Sequence, residues 1–323
     1  MFKSGKAKVL LTSLLFIFVL GISSCSKKES EFSRIKKEAQ KKNQKILLVF
    51  TGNKWSQESL DFTNAVLNDK DFNKTIAKDY TVFKIDYEND FEDSVLDKKN
   101  ISEKVLLGQE YSLSQIPQVY LLSPQGYVMT VLDPDDKVNS AASLEEKIFS
   151  KAEEITHIEF LLSEINSKEG SEKVYAINSL YEATDANYRL PLRSLITEIP
   201  NLDPENTTEL LGKYELELAY MEAITAAQNK NLKGISDIFE KVCQEGHLTP
   251  SQTQTAYYTE AFVLAGTGSK DYDKLIEILQ KAYDADKESE NADQILYTLT
   301  SFEQLKALDQ KSKENSQPVV EGH

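Results

Sequence analysis

Sulfur is scarce in this chain: its 323 residues include two cysteines, Cys25 and Cys243. Cys25 belongs to a processing signal described below, so no disulfide can form within one mature molecule. Stability must then come from a hydrophobic core, for which about 300 residues are ample, in two domains. Histidine is nearly as rare, with His157, His247 and His323 far apart in sequence and no Cys–His spacing that fits zinc. Acidic runs such as Glu88–Asp93 lack the glycine and ordered spacing of a calcium loop, so a solvated face is expected there, with no metal or cofactor. Basic charge is also in deficit, with 37 Lys+Arg against 52 Asp+Glu and a formal net charge of −15. Such a surface repels phosphate backbones, which argues against nucleic acid as a partner. No segment after residue 25 approaches the ~20 continuous apolar residues of a membrane-spanning helix.

What is present begins with the leader. Lys3, Lys6 and Lys8 form a basic start with no acidic residue, and Val9 to Leu20 is mostly apolar. Ile22-Ser23-Ser24-Cys25 then supplies a small-residue cleavage site that ends in cysteine. This pattern resembles the lipobox of bacterial lipoproteins. The resemblance implies that residues 1–24 are a signal peptide and that Cys25 becomes the acylated N-terminus, carrying palmitate-like chains. Two or three acyl chains anchor firmly where one is marginal. Residues 25–30 are then the lipidated cysteine and a polar tether, and the protein is attached by Cys25 to a membrane of the cell envelope. The outer membrane is favoured, because Ser26 stands where an aspartate retains many lipoproteins at the inner one. Removing three lysines from 37 basic residues leaves 34 against 52 acidic ones, a balance of −18.

Residues 31–138 read as an α/β domain. Phe32, Ile35 and Ala39 mark a helical stripe over 31–42. Ile46 to Phe50 is a continuous apolar run, expected of a strand buried on both faces. Ser56 is a good helix N-cap with Glu58 in the first turn, opening a helix that continues to Leu67. Asp69 or Asp71 caps a short helix through Ile76, Tyr80 to Tyr87 is a second strand, and residues 90–111 are mostly helical and charged. Ile116 to Ser123, the turn Ser123-Pro124-Gln125-Gly126 and Tyr127 to Leu132 form a hairpin. The order fits a mixed sheet flanked by helices.

The segment Phe50-Thr51-Gly52-Asn53-Lys54-Trp55, with Ile116-Pro117-Gln118-Val119 and Leu121-Leu122-Ser123-Pro124-Gln125-Gly126 downstream, resembles a thioredoxin-like domain of the periplasmic branch. The likeness covers about residues 31–135, with Tyr111 and Leu113 in place ahead of the proline. It implies a cis-proline at Pro117 facing the loop Trp55-Ser56-Gln57-Glu58-Ser59, with Ile116 and Pro117 lining a peptide groove. Two departures stand out. Ser56 and Ser59 occupy both cysteine positions of the Cys-x-x-Cys motif, and Gln118 replaces the usual threonine. Attack on a disulfide needs a thiolate. A serine nucleophile would need a base, and all three histidines lie outside this segment. Helix capping is the plainer role for Ser56 and Ser59, and packing the plainer one for Trp55.

Residues 139–311 read as helical throughout, with 312–323 a flexible tail. Ser143-Leu144-Glu145-Glu146 looks like a capping box opening a helix through Ile165, followed by a break at Lys168–Ser171. Pro191 and Pro204 stand where helix starts tolerate proline. Leu210–Ala227 is a long helix, Thr249-Pro250 opens another, and the last is expected between Ser289, as N-cap, and Leu308. Leu232–Val242 parallels Tyr272–Ala282 at an offset of 40. Ala256 to Ala282 resembles one tetratricopeptide unit, with a generic bundle of helical hairpins the other reading; either surface suits holding another polypeptide. Cys243 lies near a helix end beside acidic residues, an environment for inert packing.

The expected protein is thus a membrane-anchored, redox-inactive thioredoxin-like lipoprotein that binds, chaperones or scaffolds envelope polypeptides, and not an enzyme. The competing reading is a thiol–disulfide oxidoreductase or isomerase acting through Cys243 or a partner's thiols. A third is a purely structural envelope lipoprotein.

Overall fold

The computed structural model describes residues 29–88, 102–132 and 140–315. The signal peptide, Cys25, most of the acidic run at 88–93 and the end of the tail lie outside the described residues. The chain divides into two compact units, the first ending at Glu198 and the second starting at Ile199. Compactness therefore divides the chain later than composition, which changes near residue 139.

In the first unit, helix α1 (Glu31–Lys42) is capped by Ser30, whose hydroxyl accepts the Ser33 N–H. It stops at Asn43, which takes a left-handed φ of 52° that asparagine tolerates better than most residues. Strand β1 (Lys45–Thr51) starts two residues later, so it runs back antiparallel to α1. Every residue of β1 after Lys45 is buried, and each large apolar side chain there contributes roughly 1.5–3 kcal/mol. Next come α2 (Gln57–Phe62), a π-helical turn (Thr63–Leu67) and α3 (Lys70–Ile76), whose cap is Asp69. Strand β2 (Tyr80–Asp86), α4 (Glu103–Glu110), β3 (Gln118–Leu122) and β4 (Val128–Leu132) follow.

The strand order is β2-β1-β3-β4, with β1 parallel to β2 and antiparallel to β3. The β3–β4 turn closes with Gly126 N–H donating to Ser123 O, and Gly126 has a φ of 97° that side chains rarely adopt. Phe32, Leu48, Phe50, Ile85, Tyr87, Val105, Tyr111 and Tyr120 share one buried cluster on the α1 and α4 face. Leu47, Val49, Val119 and Leu121 alternate to the other face and are equally buried. A small mixed sheet with helices on it is compatible with a thioredoxin-like domain.

The helices that follow differ in detail from expectation. Ser140, not Ser143, is the N-cap of α5 (Ala141–Ser150), and Ser143 is the reciprocal partner whose hydroxyl reaches back to the Ser140 N–H. The helix breaks at Lys151, and α6 (Ala152–Ser167) and α7 (Gly170–Ala183) are separate. Helix α6 packs on β4, which is why this stretch belongs with the sheet. Short turns at 186–188 and 190–192, the latter holding Pro191, lead to α8 (Arg193–Ile196).

The second unit holds α9 (Ile199–Leu202), α10 (Leu211–Gln228), α11 (Leu232–Gln244), α12 (Pro250–Gly266), α13 (Tyr272–Ala285) and α14 (Ala292–Asn315). Helices α10 and α11 form one hairpin, α12 and α13 a second, and α14 packs on α13. The internal repeat thus pairs α11 with α13, the second member of each hairpin. Thr249 caps α12 in a box with Gln252, and Pro250 is at its first turn. Pro204 opens no helix: it follows Asp203, whose buried carboxylate accepts from the N–H and hydroxyl groups of Thr207 and Thr208 and folds 204–210 into a loop. Ser289 is not the cap of α14; its hydroxyl donates to Gln254 Oε1. Helix α14 also runs past Leu308 and takes in the first residues of the expected tail.

Candidate functional site

β1 carries the chain to the end of the sheet, where the loop 52–55 turns it into α2. The N–H groups of Trp55 and Ser56 both donate to Gly52 O, at 3.1 and 2.8 Å. Gly52 is required by the indole, because a Cβ there would lie 2.4 Å from Trp55 Cε2. The ring is also held by Trp55 Nε1 donating to Tyr87 O at 3.1 Å, yet the residue remains 40% exposed.

The two serines lock this geometry. Ser56 is the N-cap of α2: its Oγ accepts the Ser59 N–H at 3.1 Å and its hydroxyl donates to Glu58 Oε2 at 3.1 Å. Ser59 is 0% exposed, and its Oγ accepts the Gly52 N–H at 3.0 Å. Gln57 points away from this core, with Nε2 donating to Asp61 Oδ1. Around them lies a set of polar contacts that sequence reasoning missed. Asp86 Oδ1 accepts from Thr51 Oγ1 and from the Asn53 N–H, both at 2.9 Å, and Asn53 Oδ1 accepts from Thr63 Oγ1. The one available signal was Asp86 at the end of a strand parallel to β1.

The Ile116–Pro117 peptide bond is cis, as the resemblance implies. Phe50 is opposite Gln118 in the β1–β3 register, so Pro117 lies at the same sheet end as the Trp55–Ser59 loop. Gln118 is buried, and its Oε1 accepts from the Ser114 N–H at 3.3 Å and the Tyr120 hydroxyl at 2.8 Å. It thereby ties the pre-proline segment to the strand, a role a threonine is too short to fill in this way.

Chemically, the loop offers hydroxyls where thiol exchange needs sulfur. His157 is exposed on α6, and His247 Nδ1 is 2.9 Å from Glu215 Oε2 within the second unit. Burial pushes the Cys243 thiol up, against a smaller opposing effect of its hydrogen bond with Tyr257. A raised pKa means less thiolate at neutral pH, the reverse of what a reactive cysteine needs.

Residues 210–310, which hold both helical hairpins and most of α14, match a family model described as "Uncharacterised protein C-terminal domain". An "Uncharacterized protein" of Treponema pallidum (strain Nichols) is 24% identical over 198 residues. That match spans 60% of this chain and 64% of the relative, so it leaves about a third of the relative's length unmatched. A solved structure titled "DsbH Oxidoreductase" superposes with a TM-score of 0.31 at 12% identity, covering 46% of this chain and 99% of that one.

Proposed function

We propose that this protein is a lipoprotein of the bacterial cell envelope, anchored through Cys25, whose thioredoxin-like domain works by holding polypeptides without thiol chemistry. The observation that carries the reading is the use of Ser56 and Ser59. The side chains at both sulfur positions are spent on closing the loop and starting the helix, while the adjoining Trp55 remains 40% exposed at the same sheet end as Pro117. Exposed aromatic surface at a strand end is suited to contact with extended peptides. The helical hairpins of the second unit supply further surface of a kind used for polypeptide binding.

Trp55 is the one tryptophan of the chain, so its emission reports on this loop alone. Titration with an unfolded polypeptide whose cysteines are carboxymethylated is expected to shift and saturate that emission. Unchanged Trp55 emission across the titration, with calorimetry also showing no heat of binding, would refute the holding role.

A further inference from the structure

The start of α1 and the candidate site lie at the same end of the first unit, and a short path of hydrogen bonds connects them. The N–H groups of Glu31 and Phe32, the first residues of α1, donate to the Glu103 carboxylate at 3.3 and 3.1 Å. Glu103 opens α4, and the next carbonyl, that of Lys104, accepts the Tyr87 hydroxyl at 2.7 Å. The Tyr87 carbonyl in turn accepts the Trp55 indole N–H at 3.1 Å. The same result follows from topology. α1 and β1 are antiparallel across a two-residue turn, so the start of α1 is at the end of β1, where the loop departs.

Chain length then limits where this end can be. Between Cys25 and Glu31 a polypeptide extends at most about 20 Å, taking 3.3–3.6 Å per residue. An anchor at Cys25 therefore keeps the start of α1 within about 20 Å of the bilayer, and the Trp55 end of the unit is the end that start belongs to. The surface chemistry of that end fits contact. Among the described residues of the first unit, Trp55 at 40% and Leu60 at 37% are exposed large hydrophobic side chains of the loop and of α2, while Phe149, Phe160 and Tyr175 are exposed on the later helices α5, α6 and α7. Tryptophan, with an apolar ring and a polar edge, is the side chain most at home in the headgroup layer.

We infer that the Trp55–Leu60 end of the first unit rests on the headgroup layer of the membrane that holds the anchor. The inference builds on the lipid anchor of the proposed function and adds an orientation: the candidate site faces the bilayer, and polypeptides reaching it do so from the membrane surface. The acidic chain makes zwitterionic lipid the suitable surface.

The test uses full-length lipidated protein reconstituted in phosphatidylcholine vesicles, with and without a nitroxide on the lipid headgroup. Flotation reports the anchor, and quenching of Trp55 reports the orientation. The expected result is flotation with vesicles and loss of Trp55 emission in the nitroxide vesicles, while the Cys25→Ala protein stays in the bottom fractions. Protein that floats but keeps full Trp55 emission would overturn the orientation and leave the anchor intact. Wild-type protein that fails to float would remove the anchor itself, and the orientation with it.

Discussion

The Ser56→Cys, Ser59→Cys protein is expected to form an internal disulfide under mild oxidation. Ser56 is the cap of α2 and Ser59 is three residues on, with the Ser59 N–H already bonded to the Ser56 side chain. That spacing at a helix start places the two Cα atoms within the 4.4–6.8 Å that a disulfide spans, as a general estimate of roughly 5–6 Å indicates. Position 56 is 8% exposed and position 59 is fully buried, so in the reduced protein the first should alkylate faster. The helix N-terminus adds to this difference by favouring a thiolate at position 56. Sulfur is a weaker acceptor than a hydroxyl for the Gly52 N–H, so some stability is lost in the dithiol form and recovered in the bridged one. Mass spectrometry of the folded variant checks the bridge, and a folded variant left entirely as dithiol would show that the loop is shaped otherwise.

The second large effect concerns Asp203, in the loop before α10. Asp203→Ala should destabilise the second unit by roughly 3 kcal/mol, since a charged acceptor is lost and buried donors are left without it. The carboxylate is 2% exposed and accepts from two N–H groups and two hydroxyls, those of Thr207 and Thr208. Burial by itself would raise its pKa. The Thr208 and Thr207 hydrogen bonds outweigh burial and hold it at about 2. In the unfolded chain an aspartate titrates near 3.9. The folded value is the lower, so the stabilisation is fully present above about pH 4 and is lost as the pH falls from about 4 to about 2. Urea unfolding at pH 7 and pH 3 should therefore show a smaller difference between Asp203→Ala and wild type at the lower pH. An equal difference at both would remove the carboxylate's charge from the explanation.

The sheet and helices α1 to α4 were largely legible in the sequence, because their signals are local. The run Ile46–Phe50, the cap at Ser56, the cap at Asp69 and the turn at Gly126 each specify their structure within a few residues. Helix α1 runs over the expected Glu31–Lys42. The site's supporting contacts were not legible, because they join residues far apart in sequence: Asp86 reaches Thr51 and Asn53, and Gln118 reaches Tyr120 and Ser114. In the helical part the errors come from competition between neighbouring polar residues. Ser140 and Ser143 can both cap, and the earlier one does so. Ser289 has cap chemistry, yet its hydroxyl donates to Gln254 on α12, and the helix starts at Ala292. The boundary near residue 139 marked a change in composition, while packing of α6 on β4 joined the next helices to the sheet.

The central proposal is that the site at Trp55–Ser59 binds polypeptides without thiol chemistry, and turnover tests it most directly. Purified mature protein should reduce insulin disulfides with dithiothreitol no faster than dithiothreitol alone, and the Cys243→Ala variant should behave the same. Turnover above that background that survives Cys243→Ala would contradict the account outright, and turnover that disappears with Cys243→Ala would transfer the chemistry to the second unit's lone thiol.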